Sequence, residues 1–188
     1  MSNQAWVEPF VMTGEDGSAL SNSTTATSLL PASRKFTLPS YFFDGIGKTL
    51  RIRASGRIST VVTTPGTLTL DVRLGSVVVF NGGAMSLNTT AKTNVTWVYE
   101  AYLTCRAIGA STSANILGTA IWQSEAVIGS PANTAGGNGS LCLPVTAPAA
   151  GTGFDSTAAQ TVDFFGTWSV ANASNSITCH QFSLEALN

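Results

Sequence analysis

The chain has 188 residues, 44% of them hydrophobic, which is enough for an independent core and excludes disorder throughout. Charged residues make up only 10%, against roughly 25% in ordinary soluble proteins, and the net charge is -1. With a pI of about 5.7 this excludes a bulk-charge nucleic-acid binder, and the surface must be built from hydroxyls, amides and glycine.

So neutral a surface suits burial against neighbouring subunits, with a neutral extracellular domain as the alternative. Residues 1–33 carry one short apolar patch, Trp6 to Met12, then the polar run GEDGSALSNSTTATS. Such a stretch reads as an N-terminal arm, flexible unless a partner or the body of the fold receives Trp6, Phe10, Leu29 and Leu30.

From Phe36 onward, strand-like segments follow at short intervals: 36–38, 48–60, 67–73, 76–80, 95–108, 115–128, 140–146, 161–170 and 177–187. In the second, Leu50, Ile52 and Ala54 alternate with Arg51, Arg53 and Ser55; in the third, Leu68, Leu70, Val72 and Leu74 alternate with Thr69, Asp71 and Arg73. Pro65-Gly66 and Asn81-Gly82 read as turns. Trp97, Tyr99, Ala101, Leu103 and Cys105 share a core face, whereas the apolar set of the last segment changes parity near His180, which predicts a bulge. No amphipathic helix intervenes. Residues 34–188 are therefore expected to form an all-β, antiparallel sandwich, a jelly roll of about eight strands, preceded by the extended arm.

Catalytic patterns fail one after another. Gly45-Ile46-Gly47-Lys48-Thr49 imitates a phosphate loop, but Phe42 stands where its first glycine belongs and a strand follows in place of a helix. His180 is the only histidine, and its neighbour Cys179 points to the opposite strand face, so no thiol-imidazole pair is expected. The ten carboxylates are scattered, which gives no glycosidase pair, and the three cysteines are too far apart for a metal motif and read as buried free thiols. The expectation is of no catalytic, cofactor-binding or metal residues.

What remains points to surfaces. Arg51, Arg53 and Arg73 face outward as a candidate docking stripe for an acidic protein surface, with pairing of Arg73 to Asp71 as the alternative. Trp122, Trp168, Tyr41 and Phe154 are either core or a sugar platform, with loops 129–139 and 148–157 as possible glycan contacts. No secretory leader or long apolar run is seen, so cytoplasmic synthesis is expected, with no membrane partner. On that ground the Asn-x-Ser/Thr triplets at Asn22, Asn88, Asn94, Asn138 and Asn172 read as chance products of composition.

The stretches LLPASRKFTLPSYFFDGIGKTLRIRASGRIST, TPGTLTLDVRLGSVVVFNGGAM and GTGFDSTAAQTVDFFGTWSV resemble a group of virion structural proteins of tailed bacteriophages. The resemblance runs from about Leu29 to the C-terminus. It implies a β-sandwich subunit attached to a capsid or tail; jelly-roll capsid decoration, or cement, proteins of this kind commonly form homotrimers. The expectation is a decoration protein on the capsid exterior that binds the major capsid protein, with Trp6, Phe10, Arg51, Arg53 and Arg73 as candidate docking residues and no direct contact with nucleic acid. The alternative is a tail-fibre or receptor-binding domain that contacts a host glycan.

Overall fold

A computed structural model of the chain describes residues 7–12, 14–129, 139–151 and 153–187. The strands in chain order are β1 (Val7–Met12), β2 (Leu20–Ser21), β3 (Thr27–Ser28), β4 (Phe36–Leu38), β5 (Thr49–Thr60), β6 (Thr67–Leu74) and β7 (Val77–Leu87). They continue with β8 (Lys92–Ala107), β9 (Asn115–Ser124), β10 (Val127–Gly129), β11 (Ser140–Leu143), β12 (Gln160–Trp168) and β13 (Ser176–Leu187). One 3-10 turn, Ala32–Arg34, joins β3 to β4. Among the described residues no helix is long and apolar enough to cross a membrane.

Two antiparallel sheets pack face to face. The first runs β1-β13-β5-β8-β9-β11, with β2 also on β13; the second runs β10-β7-β6-β12-β3, with β4 also on β12. The pairs are nested: β1 with β13, β3 and β4 with β12, β5 with β8, β6 with β7. Folding a chain back on itself in this outside-in order, then wrapping it over two sheets, makes a jelly roll. The hairpin β9 with β8 and the short β10 and β11 are an insertion between its sixth and seventh strands.

The stretch expected to be an arm therefore supplies strands of the roll from residue 7 onward. Its residues are too few and too polar for a core of their own, but β12 and β13 offer open edges, and an unpaired edge is a strong receptor for extended chain. Gly17 N donates to Cys179 O at 2.8 Å and Leu29 N to Phe164 O at 2.8 Å, while Leu20, Leu29 and Leu30 are buried. Trp168 Nε1 donates to Leu20 O at 3.1 Å from the opposite side.

The core lies between the sheets around Trp97, Trp122, Trp168, Phe154 and Phe164, fed by the alternating apolar positions of β5, β6, β8 and β13. The bulge expected near His180 is present: Cys179 pairs with Gly56 and Gln181 with Ser55, which leaves His180 as the extra residue. Asn81-Gly82 is not a turn. Strand β7 runs through it with a register shift against Thr69 and Asp71, Asn81 Oδ1 accepts from Gly83 N at 2.8 Å, and the reversal is made earlier, at Gly75-Ser76.

Candidate functional site

The three arginines do not form one stripe. Arg51 and Arg53 alternate with buried Leu50 and Ile52 on β5, in the first sheet, whereas Arg73 lies on β6, in the second. Each is engaged within the chain. Arg51 Nε donates to Glu185 Oε2 at 2.7 Å, and this hydrogen bond raises the guanidinium pKa further above its ordinary value. Arg53 Nε lies 3.4 Å from Glu100 Oε2, and Glu100 also accepts from the Tyr102 hydroxyl at 2.7 Å.

Arg73 grips Asp71 through two nitrogens, at 2.7 and 3.3 Å, and its guanidinium lies 3.8 Å above the ring of Phe165. Phe165, whose parity points it away from Phe164 and Trp168, is thus covered by its own chain. Phe10 is half-buried on β1, stacked on Phe36 at 4.8 Å and edge-on to Phe42 at 5.6 Å. Trp6 lies outside the described residues.

The carboxylates are occupied in the same way. Asp163 accepts from Ser28 Oγ at 2.6 Å and pairs with Lys35 at 2.7 Å, which ties the N-terminal strands to β12. Glu125 pairs with Lys92, and Asp44 with Lys48. Asp155 is held below its ordinary pKa, chiefly by the Thr157 hydroxyl. His180 Nδ1 meets Asp16 Oδ1 at 2.8 Å, while Cys179 is buried with its thiol on Gln181 O. Among the described residues no group of three or more His, Cys, Asp or Glu is placed to hold a metal.

The Gly-Lys-Thr segment has no free cradle either. Gly47 N donates to Cys105 O and Cys105 N to Lys48 O, both at 2.9 Å, so the backbone that would wrap a phosphate is pairing with β8. The sugar platform is likewise not assembled: Trp122, Trp168 and Phe154 are buried and only Tyr41 is exposed. Residues 130–138 of the expected glycan loop lie outside the described residues. Cys142, expected to be buried, is exposed because its parity on β11 turns it to the outer face of the first sheet beside Ile121, while the next residue, Leu143, is buried.

Apart from Val62 and Val170, in the loops after β5 and β12, the exposed large apolar side chains of the described residues fall on two surfaces. At one end of the roll stand Tyr41, Ile46 and Ile108, each at least 45% exposed. Their loops are tied together: Tyr41 N donates to Ser156 O, Ser156 N to Gly109 O, and Gly47 N to Cys105 O. Tyr41 has φ of +60°, a left-handed backbone that bulky residues rarely adopt, held by the burial of its neighbour Phe43. The second surface is the outer face of the first sheet, with Val7, Met12, Val98, Tyr102 and Ile121 exposed on it. Val98 and Tyr102 sit at the polar parity of β8, and that mismatch is the signal by which the sequence could have revealed them.

No family model matches the chain, and no curated protein matches it. Among solved structures the chain is similar to the CBM2 module of the evolved Dit of Lactobacillus casei BL23 phage J-1. The two share 8% identity and a TM-score of 0.34, over 82% of this chain and 68% of that one. At that identity and TM-score the likeness says nothing of function.

Proposed function

We propose that the chain is a non-enzymatic virion structural subunit, a capsid decoration protein that binds the major capsid protein and stabilises the phage head. The observation that carries this reading is the division of its side chains: acids and bases of the described residues are largely spent on one another, while large apolar side chains stand exposed on two surfaces. Such a molecule offers area and shape to its surroundings in place of reactive groups. In this reading the Tyr41, Ile46 and Ile108 end is the shell-facing surface, because loops held rigid by mutual hydrogen bonds dock at little entropic cost. Repetition of a modest contact over many equivalent shell sites then gives the head its resistance to expansion.

The test is addition of purified chain to heads stripped of it and, separately, to isolated tails. Saturable binding to heads, raised heat resistance, and loss of both on Ile46→Asp are the expected results. Binding to tails or to arrayed host glycans, with none to heads, would replace this reading with the receptor-binding alternative.

A further inference from the structure

The outer face of the first sheet has an order that the end loops lack. The register of its strands sets Met12, Ser183, Arg53, Glu100, Ile121 and Cys142 in one row across β1, β13, β5, β8, β9 and β11. Opposite charges stand at the middle of that row, with Met12 and Ser183 on one side and Ile121 and Cys142 on the other. A shallow trough of about 580 Å³ runs beside it, between Met12 and Ile121. Among the described residues, no exposed large apolar side chain lies on the outer face of the second sheet.

We propose that this face is a two-fold contact between two copies of the chain. A two-fold axis in the contact plane, parallel to the strands and midway between β5 and β8, reverses the row on the second copy. Arg53 then lies opposite the partner's Glu100 and Glu100 opposite the partner's Arg53, so each intrachain pair joins a square of alternating charge. Met12 lies over the partner's Cys142 and Ser183 over the partner's Ile121. The flanking rows obey the same operation: Gln181 faces the partner's Gln123, Ser55 the partner's Val98, and Arg51 the partner's Tyr102. Arg51 and Arg57, beside the axis on β5, come diagonally across from the partner's own Arg51 and Arg57. Arg51 is offset by Glu185, and Arg57, opposite the partner's Thr96, stands at the margin of the face, so the charge complementarity rests on the central Arg53 and Glu100 square.

Size and strand alignment agree. Strands about 4.8 Å apart and same-face residues about 6.8 Å apart make the face at most about 24 by 27 Å, or about 650 Å² per copy, since the edge strands β1 and β11 are shorter than the four between them, against the roughly 800 Å² of a standard interface. An axis parallel to the strands also keeps the two sheets aligned to within about 30°, the ordinary geometry of sheets packed face to face. The contact does not rest on the capsid reading. Being two-fold, it joins two single chains, or two rings of three if a separate surface builds trimers.

Charge reversal tests it on the full chain by light scattering or sedimentation. The wild type is expected at the mass of two chains or six. Arg53→Glu alone, or Glu100→Arg alone, places four like charges at the centre and is expected to weaken association at least about tenfold, giving one chain or three. The double variant Arg53→Glu with Glu100→Arg restores the alternation and the wild-type mass. Both side chains are 37% exposed or more, so unchanged melting curves should show the fold intact in each variant; Ile121→Asp, on the same face, is a second disrupting variant. A wild-type mass of one or three chains at about 100 µM, or single reversals that leave a two-fold mass unchanged, would overturn the proposal.

Discussion

Trp97 and Trp122 stack in the core with ring centroids 5.0 Å apart and planes inclined by 14°. They sit on adjacent strands, β8 and β9, and join the two-sheet core through Phe164, 6.5 Å from Trp97. Trp97 donates to Arg57 O, but Trp122 Nε1 is buried with no hydrogen-bond partner among the described residues. Trp122→Ala is therefore expected to cost about 3–5 kcal/mol, and Trp122→Phe less, because a six-membered aromatic ring still fills most of the site and an unpaired donor is removed. Urea unfolding of the two variants checks this; equal losses would show that the indole nitrogen has a partner worth keeping.

Gly56 marks the closest approach of β5 to the His180 bulge. A Cβ built there lies 1.9 Å from Thr178 O and 3.1 Å from Cys179 Cα, both backbone atoms that no rotamer change can move. Gly56→Ala should lower the melting temperature by roughly 6–12 °C, from a loss of about 3 kcal/mol. An unchanged melting temperature would mean that the bulge relaxes freely.

The long strands were legible because their periodicity is local: β5, β6, β8 and β13 announce themselves within ten residues or so, and even the parity change at His180 can be read from Cys179, Phe182 and Leu184. The N-terminal strands were not, because Leu20–Ser21 and Thr27–Ser28 are too short to show a period and exist only by pairing with β13 and β12. The outward aim of Arg51 and Arg53 was legible too, whereas the identity of their partners was not. Glu185 lies 134 residues from Arg51 in sequence, a distance over which no spacing rule operates. The fate of Trp122 turned on the insertion of β9 beside β8, again a matter of tertiary pairing.

Because residues 7–33 supply strands of the roll, removing residues 2–30 should do more than weaken docking. It would strip Leu20, Leu29 and Leu30 from the core and uncover the edges of β12 and β13. The truncated chain is expected to aggregate on expression. A soluble, cooperatively melting product would show instead that the remaining strands close the sandwich alone.

The thiols should separate cleanly by reactivity. Cys142 is exposed on the edge strand β11, while Cys105 and Cys179 are buried and bonded through sulfur to backbone carbonyls. Burial raises both buried thiols above their ordinary pKa, which suppresses the reactive thiolate. The Arg53→Glu variant, in which the two-fold contact is opened, should bind about one equivalent of a thiol reagent rapidly and the other two only on unfolding, and pairing of wild-type chains should slow that one equivalent. Loss of the fast equivalent in Cys142→Ser identifies the site; fast labelling of that variant would place a second thiol within reach of solvent.

The same burial sets an alkaline limit. Desolvation pushes the Cys179 thiol from its ordinary 9.0 up to about 12, so in the unfolded chain it ionises first and in the folded chain it holds its proton. A group whose pKa is raised by folding contributes its stability fully below the unfolded value and loses it as pH rises toward the folded one. Stability should therefore decline between about pH 9 and about pH 12, with Cys105 adding to the fall in the same direction. Cys179→Ala is expected to cost about 1 kcal/mol at neutral pH yet to flatten the decline. Urea midpoints of both proteins at pH 7, 9 and 10.5 measure the difference, and parallel curves would show that groups other than this thiol govern the alkaline transition.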